Sequence, residues 1–183
     1  MGQRIISSTH NGQITLSQTP ERTTVVVGGA QQSGPELNRI WQLSLERVGQ
    51  SIPHNPRVLV LGLGAGGVLT EIHSLFPSAA FVAVEHDPAM VVLTRELRYF
   101  APHEEPRIIE ADAAEALAAM TDSFDLIIVD LFTGSRLAPI VRDPHFIADL
   151  RKNLSPNGIV LINAFFEPDA LAAADAIFAH HAD

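Results

Sequence analysis

The chain has no cysteine among its 183 residues, which removes disulfides, thiolate nucleophiles and cysteine-based metal sites together. Positive charge is also scarce. Twelve Lys and Arg stand against 21 Asp and Glu, a formal net charge of −9. A surface that tracks phosphates needs clustered Lys and Arg, so no nucleic-acid partner is expected. No apolar run reaches the roughly 18 residues needed to span a bilayer. The start, MGQRIISSTHNGQ, lacks the charged beginning and long apolar stretch of a secretory leader. A cytoplasmic protein without a membrane partner is the expectation. Internal repeats and low-complexity tracts are missing too; an alanine bias near 111–119 and 170–176 reads as helix propensity.

What is present points to a well-packed globular protein: 46% of residues are hydrophobic and mean hydropathy is +0.17. Residues 1–30 carry short alternating or β-branched runs, RIISS, QITLS and RTTVVV, and form an expected N-terminal β-hairpin region. Asn11-Gly12 between the first two is a two-residue hairpin signal. Residues 31–183 are expected to form the α/β domain. Ser33 with Glu36 suggests a capping box, with Pro35 in the first helical turn. Leu37, Ile40, Trp41, Leu45 and Val48 then share a helical face.

From Arg57 the chain alternates strands (57–61, 80–84, 106–110, 124–129, 158–164) with helices (66–76, 88–100, 112–121, 143–154, 167–181). VLVLG, FDLIIVD and GIVLINAF are apolar on both faces, which marks strands covered by helices on both sides. Such βα repeats imply a doubly wound parallel sheet, whose ligands bind beyond the carboxyl ends of the strands.

The loops at those ends carry the candidate chemistry. In GLGAGG, Gly62, Gly64 and Gly67 fit G-x-G-x-x-G and Gly66 is a fourth glycine, so a ligand can approach the backbone at a helix N-terminus. A plain packing turn is the alternative. Glu85 ends the second strand 23 residues past Gly62, where a carboxylate can accept from both hydroxyls of a ribose. Asp87, just before Pro88, suits the following helix cap. Asp112 opens an alanine-rich helix as its cap, and its carboxylate can also accept from the exocyclic amine of adenine. Asp130 ends the apolar fourth strand, where a carboxylate is costly unless paired or working. The irregular stretch 131–142 after it reads as a lid or substrate wall.

In that order, VLVLGLGAGG, AVEHDPAMV, IIEADAAEAL and FDLIIVDLF resemble the spermidine synthase-like branch of class I S-adenosylmethionine-dependent methyltransferases. The resemblance covers roughly residues 57–166. It implies a Rossmann-like methyltransferase fold with strand order 3-2-1-4-5 and a nucleoside over Gly62, Gly64, Ala65 and Gly66. Ribose then meets Glu85 and adenine meets Asp112, with the neighbours His86 and Ala113 in the same cofactor set. Asp130 matches the first aspartate of the family's D-S-S-D and is the expected catalytic residue.

The departures are equally informative. Ala65 replaces the aspartate of G-G-G-D-G-G, and Thr133 replaces the second aspartate of D-S-S-D. The tyrosine-glutamine pair expected before the first strand has no equivalent in RIWQLSLE. An amine acceptor must lose a proton before it attacks, and carboxylates both attract it and take that proton. Their loss therefore favours S-adenosylmethionine as cofactor over its decarboxylated form, with methylthioadenosine as a related ligand. The leading expectation is methyl transfer to a small-molecule acceptor. The alternatives are aminopropyl transfer to a polyamine, or a non-catalytic adenosyl-ligand-binding or assembly module. A nicotinamide dehydrogenase leaves Asp112 unexplained, and a serine hydrolase lacks its elbow. Arg136, Arg142, His180 and His181 read as solvated residues, and no metal site is expected. The C-terminus reads as shortened, so a homodimer partner or the N-terminal hairpin is expected to cover an open sheet edge.

Overall fold

The computed structural model describes residues 2–98, 106–133 and 136–164. The N-terminal runs form a four-stranded antiparallel meander of β1 (Gly2–Ser8), β2 (Gly12–Gln18), β3 (Thr23–Val27) and β4 (Ala30–Ser33), in that spatial order. Ser8 pairs with Gly12, so the first hairpin loop holds three residues rather than the two expected from Asn11-Gly12. Gly12 takes the left-handed position, φ 65°. Ser8 Oγ accepts from the backbone N–H of His10 (3.0 Å) and Asn11 (2.9 Å) and fixes the longer loop. The two-residue turn occurs instead at Gly28 and Gly29, both at positive φ, where Val27 pairs with Ala30. The fourth strand is absent from the sequence reading because AQQS carries no β-branched alternation.

α1 (Pro35–Val48) starts at Gly34, not at a Ser33–Glu36 box. Ser33 is still in β4, its hydroxyl buried without a partner, and Glu36 pairs with Arg22 at 2.8 Å. Trp41 and Leu45 are buried on the inner face, whereas Ile40 lies on the exposed side of the predicted stripe.

The second sheet is parallel and five-stranded, ordered β7-β6-β5-β8-β11, which is 3-2-1-4-5 counted along the chain. Its strands are β5 (Arg57–Leu61), β6 (Ala80–Glu85), β7 (Arg107–Glu110), β8 (Phe124–Val129) and β11 (Leu154–Ile162). The helices between them are α2 (Gly67–Leu75), α3 (Pro88–Leu97), α4 (Ala113–Ala119) and α5 (Pro144–Lys152). Alternate residues of β5 and β8 feed opposite cores. Val58, Val60, Leu126 and Ile128 pack with α1 and α2, while Leu59, Leu61, Ile127 and Val129 pack with α4 and α5. That division is why the strands are apolar on both faces.

Between β8 and α5 runs a strap containing the short ribbon strands β9 (Phe132–Thr133) and β10 (Arg136–Leu137), then a single tight helical turn, Pro139–Arg142. A third core joins the two sheets: Ile14, Leu16, Val25 and Val27 meet Ala65 and the α3 residues Met90 and Leu93. The antiparallel sheet thus packs on α3 and the glycine loop instead of covering the β11 edge. The helix expected over 167–181, with His180 and His181, lies outside the described residues. Among those residues no helix is long and apolar enough to cross a membrane.

Candidate functional site

Order reversal between β5 and β8 opens a crevice at the strand ends, and a cavity of about 200 Å³ occupies it. Gly62, Gly64, Glu85, His86, Asp112, Ala113 and Asp130 all line it. Residues 50 positions apart in sequence therefore meet because their strands are neighbours.

The glycine loop is shaped by close approach. Gly62 has φ 83°, and a Cβ there would overlap the backbone carbonyl of Asp130. Gly64, at φ 54°, has open space where a side chain would stand. Its N–H donates to Glu85 Oε2 (2.8 Å), and its carbonyl accepts from the buried Thr94 hydroxyl (2.8 Å). Gly66 caps α2 in the left-handed conformation, away from the cavity lining. Ala65 does not line the cavity either. Its methyl is fully buried in the third core, against the antiparallel sheet. Neutrality at this position therefore serves sheet packing, and the charge contrast drawn from Ala65 does not reach the ligand space.

Glu85 is buried, with Oε1 accepting from the Asp87 N–H at 2.9 Å. Each carboxylate oxygen keeps a lone pair beyond its backbone bond, so the group can still receive hydroxyl donors. His86 Nδ1 lies 3.4 Å from Glu85 Oε1. That contact, aided by Asp87 and Asp112, pushes the imidazole above its ordinary value, against the opposing effect of burial. His10, on the first hairpin loop, meets the His86 ring edge-on at 4.8 Å.

Asp87 caps α3 through the Ala89 N–H (2.9 Å) and also accepts from the Ser8 hydroxyl (2.6 Å) and the Asn11 amide (2.5 Å). Burial alone would raise it. These three donors outweigh burial and hold it below the usual carboxylate range. The hairpin tip is thereby tied to the loop that follows Glu85.

Asp112 caps α4, its Oδ1 accepting from Ala114 N (2.8 Å) and Glu115 N (3.1 Å). Asp130 is half-buried and held from both neighbouring strands. Its N–H donates to the Leu61 carbonyl (2.8 Å), and its Oδ1 accepts from the Asn163 amide (2.9 Å). Burial pushes Asp130 up to about 6, Asn163 pulls it down, and nearby Glu85 adds to the rise.

Asn11 and Gln32 also line the cavity, and Asn163 lies behind it; the sequence reading assigned none of them. Asn163 had a signal, since it follows the apolar fifth strand as Asp130 follows the fourth. Gln32 had none, because β4 was unread. Among the described residues no group of three or more His, Asp or Glu is placed to hold a metal.

The chain is 27% identical over 116 residues to the polyamine aminopropyltransferase of Vibrio vulnificus, covering 62% of this chain and 39% of that protein. It is 25% identical over 118 residues to the human eEF1A lysine and N-terminal methyltransferase, covering 58% and 17% respectively. Its fold matches the crystal structure of a probable spermidine synthase from Corynebacterium glutamicum with TM-score 0.81 and 21% identity, over 96% of this chain and 68% of that one. The chain thus spans well under half the length of these curated relatives. With a family-model match over residues 45–175, it belongs to the spermine/spermidine synthase domain family.

Proposed function

We propose that the chain carries the donor site and proton acceptor of an aminopropyltransferase, moving an aminopropyl group from decarboxylated S-adenosylmethionine to an amine. One observation carries this reading. The described cavity lining holds three carboxylates, Glu85, Asp112 and Asp130, and neither Lys nor Arg. A donor bearing a sulfonium and an ammonium suits that field, whereas the carboxylate of intact S-adenosylmethionine meets neither lysine nor arginine there. The names of the curated aminopropyltransferases support the same choice, and with it the order of the two transfer readings is reversed.

In this reading Glu85 receives the ribose hydroxyls and Asp112 the adenine amine, while Gly62 and Gly64 give room for the nucleoside against the backbone. His86 and Ala113 flank it. Asp130, with a value near 6, is ionised at neutral pH yet basic enough to share a proton. It takes one proton from the acceptor ammonium. The freed nitrogen pair forms the new C–N bond, the C–S bond breaks, and its electron pair stays on sulfur as a neutral thioether. The leaving group is already activated by its charge, so alignment and deprotonation are the protein's work.

Incubation with an amine mixture and either donor tests this by mass spectrometry. Methylthioadenosine released only from the decarboxylated donor is expected. S-adenosylhomocysteine released from the intact donor instead would replace aminopropyl with methyl transfer.

A further inference from the structure

Thr94 is fully buried on α3, and its hydroxyl bonds outside its own helix. A helical threonine ordinarily bonds back to a carbonyl one turn earlier. Here the hydroxyl donates instead to the carbonyl of Gly64, in the glycine loop, at 2.8 Å. Gly64 is held from its other side by Glu85, whose Oε2 accepts the Gly64 N–H at 2.8 Å. The second Glu85 oxygen, Oε1, accepts the N–H of Asp87 at 2.9 Å, and Asp87 is the cap of α3. These bonds close a ring. It runs from the start of α3 to Glu85, from Glu85 to Gly64, and from Gly64 back to α3 about two turns further on. Met90 and Leu93 of the same helix pack with Ala65, the next loop residue, and so support the ring beside Thr94.

A carboxylate free to rotate about its last bond must be stopped by the ligand that binds it. Pinned once at each oxygen, the Glu85 carboxylate is set before the ligand arrives, with lone pairs left for two hydroxyls. His86 Nδ1 also approaches Oε1, at 3.4 Å, but that side chain is about half exposed; the shorter bonds come from the backbone. Gly64, at φ 54°, has no side chain to hold its conformation, so its orientation rests on the bonds at its N–H and its carbonyl.

We propose that Thr94 is a positioning residue: its hydroxyl, acting through Gly64, fixes the Glu85 carboxylate for the paired 2′- and 3′-hydroxyls of the donor ribose. This rests on the donor reading above and adds to it a residue that never touches the ligand.

Titration calorimetry with methylthioadenosine and its 2′-deoxy analogue tests it on the unaltered chain, Thr94→Val and Thr94→Ser. The unaltered chain should prefer the ribo ligand by about tenfold or more, the scale of a hydrogen bond to a charged group. Thr94→Val keeps the shape and removes the donor. It should weaken methylthioadenosine about tenfold and shrink the ribo preference to about threefold or less. Thr94→Ser restores the hydroxyl and should return both values. A hydroxyl that serves packing alone leaves the ribo preference of the folded Val variant intact, and that result overturns the proposal. So does a Ser variant that behaves as the Val variant does. The ligand-free chain separates this inference from the donor reading: Gly64 amide exchange, followed by NMR, should quicken about tenfold in Thr94→Val. If no adenosine-type ligand binds the unaltered chain, the donor reading falls and this exchange decides alone; a quickened rate keeps Thr94 as the residue that sets Glu85, and an unchanged rate overturns it. Should Thr94→Val not fold, the Thr94 hydroxyl proton of the unaltered chain is followed instead. Methylthioadenosine should slow its exchange about tenfold, and equal rates with and without ligand overturn the proposal.

Discussion

Asp130 should cost the protein stability, and the cost should have a defined pH window. Its carboxyl moves from an ordinary 3.8 to about 6 in the folded chain, chiefly by burial. Between those values the folded state binds a proton that the unfolded state has released, so stability falls as pH rises through the interval. Below 3.8 both states are protonated and nothing is lost; above 6 the penalty is complete. About two units at roughly 1.4 kcal/mol each give a ceiling of about 3 kcal/mol. One side of Asp130 opens to the cavity, and solvent there trims the figure to about 1–3 kcal/mol. Asp130→Asn removes the charge, keeps the shape and still offers Asn163 an oxygen. The variant should therefore be more stable at pH 7.5, by about 2–4 °C of melting temperature per kcal/mol, and unchanged at about pH 3. Transfer should be lost at both pH values. Calorimetry from about pH 3 to 8 decides it. A variant that is less stable at pH 7.5, or a gain equal at every pH, refutes the reasoning.

Three further substitutions probe the surroundings. Asn163→Leu removes a 2.9 Å donor from the carboxylate, a bond to a charged group worth about 1.5–3 kcal/mol, so the Asp130 midpoint should climb by about 1–2 units. Carbon-13 carboxyl NMR reads it directly, and an unmoved midpoint contradicts the assignment. Gly62→Ala meets both a positive φ and the Asp130 carbonyl; a loss of about 2–4 kcal/mol in urea unfolding is expected, with nucleoside binding abolished. Retained binding would mean that the loop has another way to seat the ligand. Ala65→Asp restores the residue type of the resembling synthases, yet places a carboxylate in a fully buried apolar cluster. It should destabilise by about 3–5 kcal/mol without improving turnover. Unchanged stability would show that position 65 faces the ligand space after all.

The parallel sheet was legible because its strands are apolar on both faces and its helices follow at short, capped intervals. Gly62, Glu85, Asp112 and Asp130 were legible for a related reason: each lies at or within two residues of the carboxyl end of a parallel strand, and that topology makes those positions converge. Residues that reach the site from outside this repeat were not. Gln32 sits within a strand that has no alternating pattern, and Asn11 was read as half of a turn, although its side chain is spent on Asp87. Ala65 misled for the same reason. A loop residue flanked by glycines looks ligand-facing in sequence, but successive side chains of a tight turn point to different sides, and the third core claimed this one. The antiparallel sheet thus does more than precede the parallel one. Through Ala65 it packs the glycine loop from behind, and through Ser8 and Asn11 on Asp87 it fixes the loop that follows Glu85. A ribose ligand needs those two loops at a constant separation, and the Gly64 N–H to Glu85 bond measures that separation at 2.8 Å. In the proposed reading, donor affinity therefore depends also on residues of the N-terminal meander, Ser8 and Val25 among them, that do not line the cavity.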